Sequence, residues 1–154
     1  MKATMRKSAG AGAAAAALRP LLADLVTLSL HSKQAHWNVT GPQFYPLHAL
    51  FDGMTDEYRG WYDEVAERIR ALGEPADGRP SALAEGSAVE EMPAGLLPGE
   101  KAVSLLLHRV EGAAARAAER LPALGEVDPL SEDLVIGILR GLEKQAWMLR
   151  VQRS

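Results

Sequence analysis

From Leu47 to Leu72 the large apolar side chains return at steps of three, one and four: Leu47, Leu50, Phe51, Met54, Tyr58, Trp61, Tyr62, Val65, Ile69 and Leu72. That rhythm predicts an amphipathic helix of about seven turns, closed by Gly73 as its C-cap. A second apolar run, "RPLLADLVTLSLHSKQAHW" from Arg19 to Trp37, predicts an earlier, well-buried helix with Pro20 in its first turn and "NVTGPQ" ending it. A third helix is expected from about Glu100 to Leu121, where Val103, Leu106, Leu107, Val110, Ala114 and Ala117 keep helical register before "PALGEVDP" breaks it. The last starts at Asp128 or Ser131, both suitable N-caps, and carries Val135, Ile138, Leu139, Leu142, Ala146 and Leu149 on one face.

The segment between the second and third helices, "EPADGRPSALAEGSAVEEMPAGLLPG", is rich in Pro and Gly and is expected to hold a short helix near Ser81 to Glu85. A connection of that length usually has a task of its own. Residues 1–17 lack an apolar stripe and are expected to form a flexible, basic, Ala-rich tail, leaving residues 18–154 as the folded domain. Four helices, one long middle connection and no convincing strand predict an all-α four-helix bundle.

Composition narrows the chemistry. A chain of 154 residues fits one domain, and 47% hydrophobic with 24% charged residues is ordinary for a globular protein. Cysteine is absent, which rules out disulfides and thiolate sites, so any metal must bind nitrogen and oxygen. No uninterrupted apolar run reaches the roughly 20 residues of a membrane span, and the expectation is a cytoplasmic protein with no membrane contact. The net charge of −3 is unevenly spread: Lys2, Arg6, Lys7 and Arg19 give residues 1–20 a charge of +4 with no acid, leaving −7 for the rest.

The second helix carries the candidate chemistry. With Leu47 at zero and about 100° per residue, the apolar residues fall between about 300° and 60°, whereas His48, Asp52, Asp63 and Glu67 fall at about 100°, 140°, 160° and 200°. These four share a face distinct from the core stripe. His48 with Asp52, and Asp63 with Glu67, are i, i+4 pairs able to grip one ion. The pairs cannot grip the same ion within one chain, because eleven residues of helix rise roughly 16 Å. An antiparallel copy of the helix about a two-fold axis near residue 57 or 58 would bring the His48/Asp52 pair of one chain beside the Asp63/Glu67 pair of its mate. His36, at the end of the first helix, is a natural further ligand. Gly53 and Gly60, on the flank of the same helix, suggest close backbone approach there. Two imidazoles and three carboxylates suit a first-row divalent ion, and the hard carboxylates suit the ferric state, without excluding zinc or manganese.

These residues closely resemble the pattern of the Dps family, the ferritin-like DNA-binding proteins of starved cells. The pattern is a His in an "AHWN" segment, a second His twelve residues on, then Asp four later, Asp eleven later and Glu four later, met here by His36, His48, Asp52, Asp63 and Glu67. "FYPLHALFD", "DEVAERIRALG" and "LEKQAWMLR" also resemble it, and the likeness spans roughly residues 19–151. It implies a ferritin-like bundle, a hollow homo-dodecamer, and ferroxidase centres built from His36, His48 and Asp52 of one subunit with Asp63 and Glu67 of the other. The implied substrate is iron as Fe(II), oxidised to Fe(III) by hydrogen peroxide and stored as a mineral, with DNA bound through Lys2, Arg6 and Lys7 of the tails and hence a nucleoid association. Here the tail is diluted by Ala and Gly, a departure from Lys-rich family tails.

Other residues carry two readings each. Trp37 is either an electron donor or radical trap beside the iron site, as the resemblance implies, or an aromatic packed at a helix end; packing together with proximity to the site is preferred. Asp128, Glu132 and Asp133 either line an acidic iron-entry pore or answer the helix macrodipole. His31, about 140° from His36 around its helix, faces elsewhere, and His108 is an ordinary histidine rather than a ligand. A single-chain di-iron bundle is disfavoured because no Glu is followed three residues later by His. A nucleoid-compacting structural protein with a vestigial metal site is the rival from another class, and the intact ligand set argues against it.

Overall fold

The computed structural model describes residues 2–153, with side chains described from Gly10 onward. Its helices are α1 (Lys2–Asn38), α2 (Phe44–Ala71), α3 (Pro80–Gly86), α4 (Gly99–Val127) and α5 (Pro129–Val151). α1 packs most extensively with α2 and α4 with α5, and the two hairpins close on each other chiefly through α1 and α4. Leu18, Leu25 and Leu28 of α1, Phe51, Tyr58 and Ile69 of α2, Leu106 and Val110 of α4, and Leu142 and Leu149 of α5 are all fully buried between them. The expected all-α bundle is therefore observed, and α3 lies where the short helix was expected.

The boundaries differ from the sequence expectation in instructive ways. α1 does not start at Arg19 but runs from Lys2, and Ala14 and Ala15 are already fully buried, so packing begins inside the stretch read as a tail. The side chains of Lys2, Arg6 and Lys7 lie outside the described residues. Pro20 is interior to α1, and Pro122 is interior to α4, which passes through "PALGEVDP" to Val127. A proline removes the donor for the carbonyl four residues earlier. Those carbonyls belong to Ala16 and Ala118, both exposed, so water can satisfy them. Beyond Pro122, burial of Leu124 holds the helix on course.

α1 also corrects the reading of hydropathy. Over Gly10–Asn38 it has the length and composition of a membrane span, but 56% of its apolar window is buried within the bundle, which accounts for that apolarity. Two short strands, unforeseen in the sequence, pair in parallel: β1 (Val39–Thr40) with β2 (Leu97–Pro98), Val39 opposite Leu97. They tie the α1–α2 elbow to the end of the long connection.

The rest of that connection is pinned by two buried charged side chains. Asp24 of α1, 2% exposed, accepts hydrogen bonds from the Ser87 hydroxyl at 3.0 Å and the Ala88 amide at 2.9 Å, while its other oxygen accepts one from Arg116 Nε at 2.9 Å. Arg109 of α4 donates to the carbonyls of Glu90 at 2.8 Å and Glu91 at 2.6 Å. A Pro- and Gly-rich segment is thus held at fixed points by the helices it joins. Removing one partner of a buried ion pair leaves the other uncompensated, and because Arg116 is partly solvated the loss for Asp24→Ala is expected near about 3 kcal/mol. Denaturant unfolding checks the magnitude, and faster exchange of the Ala88 amide checks that the connection is what loosens.

Candidate metal centre

His36 ends α1 and His48 opens α2, with a twelve-residue step between them that contains the elbow. Their rings stack with centroids 3.6 Å apart and planes 18° from parallel. Each ring also holds the other's backbone: His36 Nδ1 lies 2.7 Å from the His48 carbonyl, and His48 Nδ1 lies 2.8 Å from the His36 carbonyl. A nitrogen facing a carbonyl must carry the proton and donate it, so in both rings Nε2 is left as the lone-pair donor for a ligand. Locking the tautomer through a backbone carbonyl is the usual support of a metal-binding histidine. The His36 carbonyl suits this because the last carbonyls of a helix lack an intrahelical donor.

Asp52 stands one turn after His48. Its carboxylate is bonded by the ammonium of Lys33 from α1. That hydrogen bond holds the Asp52 carboxyl below its ordinary range against the loss of water contact, and the charges of Lys33, His36 and His48 act in the same direction. Lys33 was not singled out in the sequence, where no local pattern ties it to Asp52, nineteen residues away.

Asp63 and Glu67 lie farther along α2, both exposed. Among the described residues, no three His, Asp or Glu side chains of one chain converge closely enough to hold a metal ion. The structure thus brings His36, His48 and Asp52 to one end of α2 and leaves Asp63 and Glu67 on open surface of the same helix. Gly53 and Gly60 are exposed too, and a Cβ at either would meet nothing within 4 Å of the chain itself.

Trp37 is not packed at the helix end: it is 68% exposed and lines an apolar groove with Leu30, Met92, Pro93 and Leu105. His31 faces Arg109, and burial together with that positive charge lowers its pKa to about 4. His108 is exposed, 3.7 Å from Glu90. Asp128 precedes α5, where its two oxygens accept hydrogen bonds from Arg68 at 2.9 and 2.7 Å and one accepts the Ser131 hydroxyl. Arg68 Nε also donates to Ser131 at 3.0 Å. Asp128 is therefore committed to joining α2 to α5, while Asp133 is exposed and Glu132 is folded against Gly125 of α4.

A helical bundle with carboxylate and imidazole donors on its helices defines a ferritin-like protein, and the ferritin-like domain model matches residues 15–153. The chain is 39% identical to the fine tangled pili major subunit of Haemophilus ducreyi, covering 88% of this chain and 72% of that one. It is 34% identical to DNA protection during starvation protein 2 of Deinococcus radiodurans, over 87% of this chain but only 56% of that protein's length. Among solved structures it resembles Dps from Microbacterium arborescens in the high iron form, with a TM-score of 0.88, 35% identity and 93% of each chain covered. The chain belongs to the Dps family of ferritin-like proteins.

The Asp128 contacts generate a pH signature. Burial raises the pKa of its carboxyl, but the hydrogen bonds from Ser131 and Arg68 and the Arg68 charge outweigh it, and the net shift is downward. A carboxyl depressed in the folded state contributes stability that is full above its unfolded pKa of about 4 and disappears as pH falls through the lower folded value. Asp128→Asn is expected to be less stable at pH 6 and to lose less of its stability on acidification than the parent. Unfolding midpoints measured from pH 6 to pH 2.5 check this.

Proposed function

We propose that the chain is the subunit of a ferroxidase and iron-storage shell that takes up Fe(II), oxidises it with hydrogen peroxide and retains the ferric product, protecting DNA. The observation that carries this reading is the His36/His48 pair, whose reciprocal backbone hydrogen bonds leave two Nε2 donors fixed side by side. One subunit supplies these with Asp52, and a two-fold mate supplies Asp63 and Glu67, in a homo-dodecamer. By helical angle the His48/Asp52 and Asp63/Glu67 pairs fall on one face of α2, which supports an isologous contact.

Iron is the substrate here. Each of two Fe(II) ions gives one electron to one hydrogen peroxide, the O–O bond breaks, and two protons complete two waters, leaving two Fe(III). The imidazoles bind the ferrous ion and the hard carboxylates favour the ferric product. Because the electrons leave in a pair, no hydroxyl radical is released, and this is the chemical basis of DNA protection. Asp133 and Glu132 are the acids left for an entry path, since Asp128 is engaged by Arg68. The relatives named for DNA protection during starvation support the DNA part of the reading. Contact through Lys2, Arg6 and Lys7 would be electrostatic and would weaken steeply as salt rises.

Mixing the protein with Fe(II) without oxygen and then adding peroxide tests the reading. Ferric absorbance is expected to rise well ahead of buffer, and His36→Ala and Asp63→Asn are each expected to slow it at least about tenfold, the scale of losing a metal-site interaction. A parent protein no faster than buffer, or variants as fast as the parent, would sink the proposal.

A further inference from the structure

We infer that Gly99, the first residue of α4, is a positioning residue for the histidine half of the centre; this rests on the ferroxidase reading. Gly99 lies far from the ligands in sequence, at the end of the long connection. A Cβ built on it would stand 2.7 Å from Leu47 Cδ1, 3.6 Å from the Thr40 carbonyl oxygen and 4.0 Å from Val39 Cγ2. The first distance is far inside van der Waals contact, so the space a side chain would need is already filled by Leu47. Leu47 is 1% exposed and belongs to the same buried core as Leu97 at 1% and Val39 at 2%, so it has little room to yield.

The requirement for glycine is steric. The positive φ values among glycines occur at Gly41, Gly73 and Gly95, and Gly99 is not among them. An alanine would suit the first turn of a helix at least as well as glycine. What it would disturb is the elbow: Leu47 immediately precedes His48, and the same elbow is held from outside by Val39–Thr40 pairing with Leu97–Pro98 and by the Thr40 hydroxyl, which donates to the Leu97 carbonyl at 3.4 Å. The His36/His48 stack depends on two hydrogen bonds of 2.7 and 2.8 Å across that elbow. A displacement of Leu47 by even several tenths of an ångström is passed straight to the His48 carbonyl and ring. The end of the connection therefore sets the register of the two imidazoles, which is a task for the segment that the sequence left unexplained.

The test compares full-length parent, Gly99→Ala, and the double variant Gly99→Ala/Leu47→Val, in which the clashing methyl is removed. Fe(II) oxidation by peroxide is followed against Fe(II) concentration, with assembly mass measured on the same samples. For Gly99→Ala the KM for Fe(II) is expected to rise about tenfold, the scale of disturbing the support of a metal-binding histidine, with kcat per assembled subunit close to the parent. The double variant is expected to recover most of the parental KM. General destabilisation would instead lower the active fraction and leave KM in place. Gly99→Ala with parental KM, a double variant that stays impaired, or loss of assembly in both variants would overturn the assignment. Failure of the parent to oxidise Fe(II), by contrast, would remove the ferroxidase reading itself.

Discussion

An α-helix cannot fold back on itself: residues eleven apart stay roughly 16 Å apart for as long as it remains helical. α2 remains helical from Phe44 to Ala71, so the two pairs proposed as ligands, His48/Asp52 and Asp63/Glu67, are permanently divided. Everything proposed for the chain depends on this rigidity. A single-chain bundle can gather an ion's ligands from facing helices in its own core. Here the core of the bundle is occupied by Phe51, Tyr58, Leu106 and Leu142, while Asp63 and Glu67 stand exposed on α2.

The fold serves that division by making each half stiff. At the histidine end, the elbow between α1 and α2 is closed by two reciprocal imidazole-to-carbonyl hydrogen bonds and by the β1–β2 pairing, with Leu47 filling the space where a side chain on Gly99 would stand. At the carboxylate end, Arg68, next to Glu67 in sequence, joins α2 to the start of α5 through Asp128 and Ser131. Ligands held this way lose little freedom on binding, which is the physical content of preorganisation. The long connection, anchored by Asp24 and Arg109, leads to Gly99 beside the elbow, which is the ground for the positioning role proposed for it.

Periodicity made the second helix and the bundle legible, because both depend on one local quantity, the angle per residue. The family likeness rested on five positions, His36, His48, Asp52, Asp63 and Glu67. Contacts between segments distant in sequence were not legible: nothing local says that Lys33 bonds Asp52, that Asp128 bonds Arg68, or that Gly99 faces Leu47. Boundaries failed where proline was taken to mark a helix end, Pro20 in a first turn and Pro122 in a breaking segment. Pro20 and Pro122 sit inside helices because the carbonyls they deprive are exposed and because burial of Leu18 and Leu124 favours continuing. Trp37 was misjudged for a related reason, since a helix-end aromatic with no partner in its own chain looks, in sequence, like one with a partner.

Complementation between two broken subunits addresses the division of the site most directly. His36→Ala and Asp63→Asn subunits, each slowed at least about tenfold alone, would be unfolded, mixed and reassembled, then given Fe(II) and peroxide. If each centre takes its histidines from one chain and Asp63 and Glu67 from another, a mixed pair has one doubly damaged centre and one intact one, and random pairing restores about a quarter of the centres. Recovery of ferric formation to about that fraction of the parental rate is the predicted result. A mixture as slow as its two components, in assemblies of parental mass, would contradict the account.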